Sequence, residues 1–323
     1  MSDNIKKIGL LTSGGDAPGM NCAIRAVVRT AINNNIQVFG IKRGYEGLLK
    51  GEIAEMTAKD VSNIMFRGGT ILRTARSEEM RTEEGIEKAA NLCKLLKLDA
   101  LIVIGGDGSL TGGLALSKKG VNIMGIPGTI DLDLDCTDYT IGFDTAVNTS
   151  LDAVDKIRDT STSHERCSVI EVMGRGAGFI ALWTGLSGGA EEIIIPEREN
   201  SEEAIIETIL ENRSRGKRHN LIIVAEGKGN SQKLAKNIEK ATGISTRATI
   251  LGHLQRGGSP TARDRVTASI MGLKAVTALI EGKQNRIMIE KNGSFTDIDL
   301  EEGLNFRREY DDFLYKAAKI LAI

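Results

Sequence analysis

Residues 100–109 read ALIVIGGDGS: an apolar run, Ala100–Ile104, leads into a glycine-rich turn and then into helical spacing over Leu110–Ser117. A short apolar run of this kind is typical of a strand that is buried on both faces of a parallel sheet. The same order occurs near the N-terminus, where Ile8–Leu11 precedes a glycine-rich turn and a helical pattern over Met20–Asn34. The sequence therefore predicts βα units.

The pattern continues along the chain. Further strands are predicted at Val38–Ile41, Asn122–Ile126, Ser168–Val172, Ile193–Ile195, Leu221–Ala225 and Ala248–Leu251, and further helices at Gly85–Leu96, Thr145–Ile157 and Thr267–Leu279. This alternation predicts an α/β protein with two domains, each a mainly parallel sheet flanked by helices in a Rossmann-like manner. Ligands of such sheets bind beyond the carboxyl ends of the strands, where the glycine clusters fall.

Composition and charge exclude several functions. The chain has 323 residues, and its 42 Lys and Arg nearly balance 43 Asp and Glu. A near-neutral chain with 4% aromatic residues is a poor candidate for nucleic-acid binding. No apolar run approaches the ~18 residues of a membrane span, and no apolar leader is evident, so we expect a cytoplasmic protein. Cys22, Cys93, Cys136 and Cys167 form no CxxC pair and are expected to be buried or incidental thiols.

Two glycine-rich loops have features of phosphate binding. Gly14-Gly15 lets backbone N–H groups approach phosphate oxygens, and the helix that follows favours an anion. Gly105–Ser109 exposes further donors, and its Asp107 could hold Mg²⁺. The structural alternatives are a turn capped by Asp16 and an N-cap role for Asp107.

Residues 127–133, PGTIDLD, place Asp131 and Asp133 two positions apart. On extended backbone these side chains would point the same way. One could then take a proton from a hydroxyl while the other lies near a metal. A solvated acidic turn explains the local sequence equally well, because Asp135 and Asp138 follow.

Arginines near these loops are candidates for phosphate contacts, because the guanidinium fork fits phosphate oxygens. Arg175 lies within GRG and Arg256 within HLQRGG. Arg25 and Arg29 share a helix face, and residues 215–219 (RGKRH) form a second basic run. Each of these two groups is either a solvated face or a separate anion site.

Several nucleotide and hydrolase motifs are absent. The sequence contains no GxxxxGK[ST], HRD or DFG motif, which excludes P-loop and protein-kinase mechanisms. Residues 185–189, GLSGG, fit GxSxG, but a hydrolase elbow needs a strand before the serine. The pattern at Phe179–Thr184 is helical, so we do not expect a serine nucleophile.

Eight segments in chain order resemble the bacterial-type 6-phosphofructokinase family: LTSGGDAPGMN, RGGT, IGGDGS, PGTIDLD, TDYTIGFDTA, DTSTSHERCSVIEVMGRGAG, TRATILGHLQRGGSP and DR. The resemblance implies an ATP-binding domain (residues 1–142 and 255–306) and a fructose 6-phosphate-binding domain (143–254 and 307–323). It also implies a homotetramer and a glycolytic, Mg²⁺-dependent transfer of the ATP γ-phosphoryl group to the 1-hydroxyl of fructose 6-phosphate.

The resemblance further implies roles for single residues. Asp131 would be the catalytic base, Thr129 and Arg175 would hold the transferring phosphoryl group, and Asp107, with Asp133 nearby, would be associated with the metal. ATP contacts are expected at Gly15, Arg76, Ser77, Gly106, Asp107, Gly108 and Ser109. Sugar-phosphate contacts are expected at Thr129, Asp131, Arg166, Met173, Gly174, Arg175, Glu226, Arg247, His253 and Arg256. Arg166 and Arg247 would serve a neighbouring subunit's site.

The resemblance also bears on the phosphoryl donor and on regulation. Pyrophosphate-using relatives carry Asp and Lys where this chain has Gly108 and Gly128; glycine leaves space for the α-phosphate and nucleoside, which favours ATP. An effector site for ADP and phosphoenolpyruvate is expected at Arg25, Arg29, Arg158, Gly189, Glu191, Arg215, Lys217 and His219. Ala58 stands where the family has an arginine of that site, so we expect a weaker or altered effector response.

Leu132 is the other departure, because the family usually reads TIDND and has Asn at this position. Loss of an amide beside the base could reduce turnover or alter the acceptor. Alternative functions are therefore a pyrophosphate-dependent or other sugar-phosphate kinase, and a weakly active regulatory or binding paralogue. A kinase of the NAD-kinase or lipid-kinase type shares the GGDG loop but gives no reason for GHLQRGG and EVMGRG.

Overall fold

The computed structural model describes residues 5–308 and 311–322. The chain divides into two units, Met1–Thr145 with Arg256–Arg308, and Ala146–Gln255 with Glu309–Ile323. These limits lie within about three residues of the expected domain limits, and the ligand of each unit stays a prediction. Residues 1–4, 309–310 and 323, which the expected domains include, lie outside the described residues.

Strands and helices alternate through most of the chain. The strands are β1 (Lys7–Thr12), β2 (Gln37–Ile41), β3 (Ile53–Met56), β4 (Ala100–Gly105), β5 (Ile123–Pro127), β6 (Cys167–Val172), β7 (Glu192–Ile194), β8 (Asn220–Ala225), β9 (Thr246–Ile250), β10 (Arg286–Lys291) and β11 (Ser294–Asp299). The helices are α1 (Met20–Asn33), α2 (Gly44–Lys50), α3 (Glu83–Leu95), α4 (Asp107–Ser117), α5 (Phe143–Ser163), α6 (Phe179–Ser187), α7 (Glu202–Ser214), α8 (Ser231–Thr242), α9 (Ala262–Ile280), α10 (Leu300–Asn305) and α11 (Phe313–Leu321). Short 3₁₀ turns lie at Glu79–Arg81, Glu226–Lys228 and Gly252–Arg256.

The sheet of the first unit has the strand order β11-β10-β5-β4-β1-β2-β3. Its central pairings are parallel, and only the edge strands β3 and β11 pair antiparallel among the described residues. Thr12 pairs with Ile104 and Gly105 with Pro127, so β1, β4 and β5 end at the same level. Every residue of β4 is buried, as its apolar run predicts.

The sheet of the second unit has the order β7-β8-β6-β9, and all its pairings are parallel. Val169, Ile222 and Val224 pack into a core with Ile205 and Ile209 of α7. The prediction of mainly parallel sheets flanked by helices is confirmed. Among the described helices, none combines the length and the apolar character that a bilayer span requires.

Two local predictions were tested directly. All four cysteines are free and buried, and burial raises the pKa of Cys22 to about 11 and of Cys167 to about 12. These values keep the two thiols protonated at neutral pH. Ser187 ends helix α6, so GLSGG forms no strand-to-helix elbow.

Candidate active site

The first sheet brings three predicted loops to one edge. Strands β1, β4 and β5 are parallel neighbours, so the loops that follow them are adjacent. Ser13 N donates to Ile104 O at 3.0 Å, and Gly128 N donates to Gly105 O at 3.0 Å. These bonds join each loop to the next strand at the edge where α/β sheets bind ligands.

Arg256 lies across the first loop. A Cβ atom at Gly15 would overlap the Arg256 guanidinium, and Arg256 Nη1 donates to Asp16 O at 3.2 Å. Asp16 does not cap α1, because the N-cap is Gly19 in the left-handed region at φ 108°. The capping alternative for Asp16 is therefore wrong, and the loop presents its backbone beside a guanidinium, which suits a phosphate.

Helix α4 supplies the second loop. Its N-cap is Gly106, so the N-cap alternative for Asp107 is also wrong. Asp107 and Gly108 are exposed, and a Cβ at Gly108 would meet nothing within 4 Å. At Gly105 a Cβ would lie 2.6 Å from both Ser109 Cβ and Ser13 O. Packing therefore requires glycine at 105, whereas position 108 leaves open space for a ligand.

Tyr45 positions this loop and was missed by the sequence analysis. Its hydroxyl donates to Ser109 O at 2.6 Å. Burial raises the pKa of the Tyr45 phenol well above its ordinary value, which keeps it a donor. A single tyrosine in a helical stretch gives no sequence signal for a contact made 64 residues away.

Hydrogen bonds within the loop after β5 hold the backbone of Asp131 and the carboxylate of Asp133. Thr129 Oγ1 accepts from Asp131 N at 3.2 Å and donates to Asp133 Oδ1 at 3.1 Å. Thr140 Oγ1 in turn donates to Thr129 O at 2.7 Å. Asp131 is half-buried and Asp133 keeps an exposed surface. The threonine hydroxyl thus connects the two carboxylate-bearing residues.

The backbone between the carboxylates is not extended. Leu132 lies in the left-handed region at φ 55° and its side chain is buried. The expectation that Asp131 and Asp133 project alike from extended backbone is therefore wrong. Desolvation by the surrounding protein raises the pKa of Asp133, and the negative charge of Asp107 raises it further, against opposing effects of Thr129 and Arg256.

Asp264 supports the segment that follows this loop. Its carboxylate is buried and accepts from Gly142 N at 2.7 Å, Tyr139 Oη at 2.8 Å and Thr145 N at 2.9 Å. Burial raises the pKa of Asp264, and these hydrogen bonds lower it. The sequence analysis quoted Asp264 as part of the DR segment but gave it no role. Local sequence does not show whether such an aspartate caps a helix or is buried.

Arg76 and Ser77 belong to a segment tied to the end of β1. Thr12 Oγ1 lies 2.9 Å from Thr70 Oγ1 and donates to Arg73 O at 3.0 Å. Arg76 is exposed, and Ser77 lies beside Glu46, whose pKa is lowered by Lys50 and then by the Ser77 hydroxyl. Both expected ATP contacts therefore follow a segment fixed to the end of β1.

The second sheet gathers another group of predicted residues. Met173, Glu226 and His253 follow β6, β8 and β9, which are parallel neighbours. Gln255 is fully buried there: its Oε1 accepts from Met173 N and Ser150 Oγ, each at 3.1 Å, and its Nε2 donates to Gly252 O at 3.1 Å. The sequence analysis quoted the motif of Gln255 without giving this residue a role.

Glycines shape the turn that carries Arg175. Gly174 has φ 127°, a conformation that L side chains rarely adopt. Its carbonyl accepts from Gly227 N at 3.2 Å, and a Cβ at Gly227 would overlap Arg175 O. The two glycines bring the turns after β6 and β8 together, and Arg175 remains exposed beyond them.

Arg166 and Arg247 lie at the opposite end of the same sheet. Arg166 precedes β6, and Arg247 pairs with Ser168 in the first half of that strand. A strand rises about 3.3 Å per residue, so the seven steps from Arg166 to Met173 span roughly 23 Å. Within one chain, the structure does not bring these arginines to Met173, Glu226 and His253.

Comparison with known proteins identifies the family. The model of the phosphofructokinase family matches residues 7–279. The chain belongs to the phosphofructokinase family. An ATP-dependent 6-phosphofructokinase of Clostridium botulinum is 59% identical over 318 residues, covering 98% of this chain and 100% of the relative. A protein of the same name from Clostridium novyi is 57% identical, with the same coverage.

Solved structures agree with this assignment. Phosphofructokinase from Saccharomyces cerevisiae has a TM-score of 0.86 at 38% identity, covering 98% of this chain and 48% of the yeast chain. The Pichia pastoris phosphofructokinase in the T-state has a TM-score of 0.89 at 35% identity, covering 99% of this chain and 39% of that chain. The chain thus spans less than half of either yeast chain. A pyrophosphate-dependent phosphofructokinase from Marinobacter aquaeolei, 23% identical at a TM-score of 0.85, shares the fold.

In the second unit, four residues of the expected effector group form two pairs of neighbours. Glu191 is buried; its Oε1 lies 2.8 Å from Lys217 Nζ, and its Oε2 accepts from Leu221 N. Gly189 packs near Arg158, whose Nε and Nη2 are buried without a hydrogen-bond partner among the described residues. These two guanidinium nitrogens are free to bind an anion.

The remaining residues of the expected effector site are exposed or half-buried. Arg215 is exposed and pairs with Glu211 at 3.6 Å, and His219 is half-buried. Arg25 and Arg29 belong to α1 of the first unit, the first half-buried and the second exposed. Ala58 is exposed in a turn held by Asp60, whose Oδ2 accepts from Thr57 N and Oγ1 at 2.7 Å each.

Proposed function

We propose that this chain transfers the γ-phosphoryl group of ATP to the 1-hydroxyl of D-fructose 6-phosphate, giving fructose 1,6-bisphosphate and ADP as a cytoplasmic step of glycolysis. One observation carries the proposal. The hydrogen bond from Gly128 N to Gly105 O holds the loop with Thr129, Asp131 and Asp133 beside the glycine-lined start of α4, close enough for the charge of Asp107 to act on Asp133. The family match and the names of the relatives support the donor and the acceptor.

Phosphoryl transfer requires mainly positioning and electrostatic stabilisation from the protein. Asp131 is held through its backbone by Thr129, and its carboxylate would accept the proton of the sugar hydroxyl. The hydroxyl oxygen would attack the γ-phosphorus as the bond from phosphorus to ADP breaks. Thr129 would hold the transferring group. Arg175, exposed on its glycine turn, would offset the charge that develops on that group.

A divalent cation fits beside Asp107 and Asp133. Burial raises the pKa of Asp133, and the negative charge of Asp107 raises it further; a bound cation would relieve both effects. No cluster of three or more His, Cys, Asp or Glu side chains suited to a metal occurs within the described ranges. Mg²⁺ matches this set, because it is usually held by one or two carboxylates together with substrate phosphates. When bound, it would neutralise charge on the phosphates.

Position 108 supports ATP over pyrophosphate. The open space beside Gly108 is available to the α-phosphate and nucleoside, where an aspartate would repel them. At Gly128 a Cβ would come within 3.1 Å of Ile104 Cγ2 and Met20 Cε. A lysine there would therefore need its neighbours to move. Gly15, Arg76, Ser77, Gly106 and Ser109 complete the proposed ATP contacts.

The sugar phosphate would be recognised by residues of two chains. Met173, Gly174, Glu226, His253 and Arg256 would act within one subunit. Arg166, roughly 23 Å along the sheet from Met173, and Arg247, level with Ser168 and roughly 16 Å from Met173, would act on the site of a neighbour, which supports a homotetramer. The isolated chain would then lack part of its sugar-phosphate pocket.

ADP and phosphoenolpyruvate are the proposed effectors. Arg158 supports this proposal, because two of its guanidinium nitrogens are buried without a partner in the part of the chain that the structure describes, and such donors favour an anion. Lys217 and Glu191 form an ion pair two residues from Gly189, which lies near Arg158, and Glu191 would meet the effector's metal. Arg25, Arg29, Gly189, Arg215 and His219 would complete the site.

A coupled assay with ATP, Mg²⁺ and fructose 6-phosphate tests the proposal. We expect Asp131→Asn to lower kcat by about 10³-fold or more, because an amide cannot accept the proton. Asp135→Asn, in the same segment, is the matched control and should retain activity. Equal activity of Asp131→Asn and the wild type would remove Asp131 from this role. Binding without turnover would favour the regulatory paralogue, and turnover with pyrophosphate would change the donor.

A further inference from the structure

A cavity of about 350 Å³ in the second unit is lined by residues with no role in the proposed catalytic or effector sites. It lies between α7 and α8, beside the ends of β7 and β8. Ile194, Ile205, Val224 and Leu234 give it an apolar surface that belongs to the core of this unit. The remaining lining is polar and comes largely from the N-terminal ends of the two helices.

The N-terminus of α8 carries an unbalanced positive charge. Its N-cap, Asn230, accepts from Lys233 N at 2.9 Å, and its first turn contains no acidic residue. The first turn of α7, in contrast, contains Glu202 and Glu203. The helix dipole of α8 is therefore not offset within its own first turn. Lys228 and Lys233 add two exposed cations to the lining.

Buried polar atoms at the same cavity lack partners. Ser231 is only 1% exposed, and its hydroxyl has no hydrogen-bond partner among the residues described. Asn200 donates through Nδ2 to Tyr315 Oη at 3.0 Å, while its buried Oδ1 has no such partner within the described ranges. Buried polar atoms are seldom left unpaired, so a bound molecule that satisfies both would account for them.

We propose that this cavity binds a small phosphate monoester that carries a hydroxyl group. The phosphate's charge of about −2 matches two lysines, and its oxygens can accept from Ser231 and from the N–H groups of the first turn. Asn200 Oδ1 would accept from the ligand hydroxyl, and the apolar surface would contact its carbon atoms. Glu202 also lines the cavity and keeps its negative charge, with Oε2 accepting from Asn237 Nδ2 at 3.1 Å; the two lysines and the N-terminus of α8 still give the lining an excess of positive charge. The site does not depend on the kinase activity proposed above.

Calorimetric titration with glycerol 3-phosphate, without nucleotide, tests the site on the full chain. Ser231→Ala and Lys233→Gln should each weaken binding about fivefold or more, because each removes a donor to the phosphate. Lys236→Gln changes an exposed lysine one turn further along α8 and should stay within about twofold of the wild type. Inorganic phosphate should bind more weakly than glycerol 3-phosphate, and glycerol should give no measurable heat.

The variants also separate this cavity from the proposed effector site. Binding that is unchanged in Ser231→Ala and Lys233→Gln but lost in Arg158→Gln would overturn the proposal, as would the absence of any binding. Thermal unfolding checks that each variant is folded. Lys228→Gln, at an exposed position of the cavity, tests the same site if Ser231→Ala is unstable. A crystal soaked in glycerol 3-phosphate should show the phosphate beside Ser231.

Discussion

Leu132 is the residue at which this site departs most clearly from its family. It holds φ 55° between Asp131 and Asp133. The left-handed region costs an L-residue with a bulky side chain about 1–2 kcal/mol, and Asn is enriched there several-fold. The Asn that the family usually has would adopt this turn at less cost. The departure therefore stores backbone strain next to the proposed base.

A pair of matched substitutions measures that strain. Leu134 is the control, because it is buried in the core but does not have a left-handed backbone conformation. Leu134→Asn places an amide in the core and should destabilise the protein by about 2–5 kcal/mol. Leu132→Asn also loses a buried side chain, but relief of strain should make its penalty at least about 1 kcal/mol smaller. Urea unfolding of both variants gives the comparison. Equal penalties would show that Leu132 is not strained.

Asp133 gives a pH-dependent prediction. Its folded pKa is raised above the value of 3.8 expected for an unfolded chain. Ionisation therefore costs stability as the pH rises from about 4 through the folded pKa, and this cost persists at neutral pH. Bound Mg²⁺ would offset this cost of an ionised Asp133. MgCl₂ should therefore raise Tm more at about pH 7.5 than at about pH 4.5. Asp133→Asn should remove most of the difference and Asp135→Asn should not. A Tm increase independent of pH would contradict the metal role.

The start of helix α4 gives a prediction at the scale of elements. A Cβ at position 108 meets nothing within 4 Å, and an aspartate there would lie in the first turn, where a negative charge stabilises a helix by about 0.3–1 kcal/mol. Gly108→Asp should therefore fold at least as well as the wild type while losing ATP-dependent activity by about 10²-fold. Gly108→Ala, which adds only a methyl group, is the control and should lose far less. Unchanged activity of Gly108→Asp would place the nucleotide elsewhere.

The turn at residues 57–60 is a second element with a testable role. Ala58 is exposed, so an arginine can be accommodated there without repacking. If the effector pocket lacks a guanidinium at this position, Ala58→Arg should strengthen the response to ADP or phosphoenolpyruvate by about threefold or more. Lys59→Arg keeps the charge at the adjacent position and should leave the response unchanged. Identical titrations of Ala58→Arg and the wild type would contradict this assignment.

Elements differ in how far the sequence predicts them. Strands such as β4 and β8 were predicted because each is a continuous apolar run that is followed closely by a glycine-containing turn. Strands β3 and β11 were not predicted, because each lies at a sheet edge and has few buried residues, so the apolar pattern is weak. The cluster of loops at β1, β4 and β5 was predictable from strand order. The left-handed Leu132 and the contacts of Tyr45 and Asp264 were not, because they depend on backbone conformation or distant pairs.

At the scale of the whole molecule, the chain crosses between its two units three times. Nothing in composition marks these crossings, and their expected positions came from the family resemblance alone. Helix α11 completes the second unit. It is held there by two ion pairs, Arg198 with Asp312 and Lys319 with Glu192. The sheet of that unit carries predicted sugar-phosphate residues at both ends, which one chain cannot bring to a single ligand.

Shared sites between subunits can be tested by mixing inactive variants. Asp131→Asn would lack the base, and Arg247→Gln would lack the group offered to a neighbour. In a mixed oligomer, a site on the Arg247→Gln chain keeps its base and can receive Arg247 from an Asp131→Asn partner. Co-refolding the two should therefore restore about a quarter of wild-type activity, if chains mix at random. The control pairs Asp131→Asn with Arg256→Gln, whose residues belong to the same unit of one chain, so no intact site can form. Failure of the first pair to exceed this control would show that each chain builds its site alone.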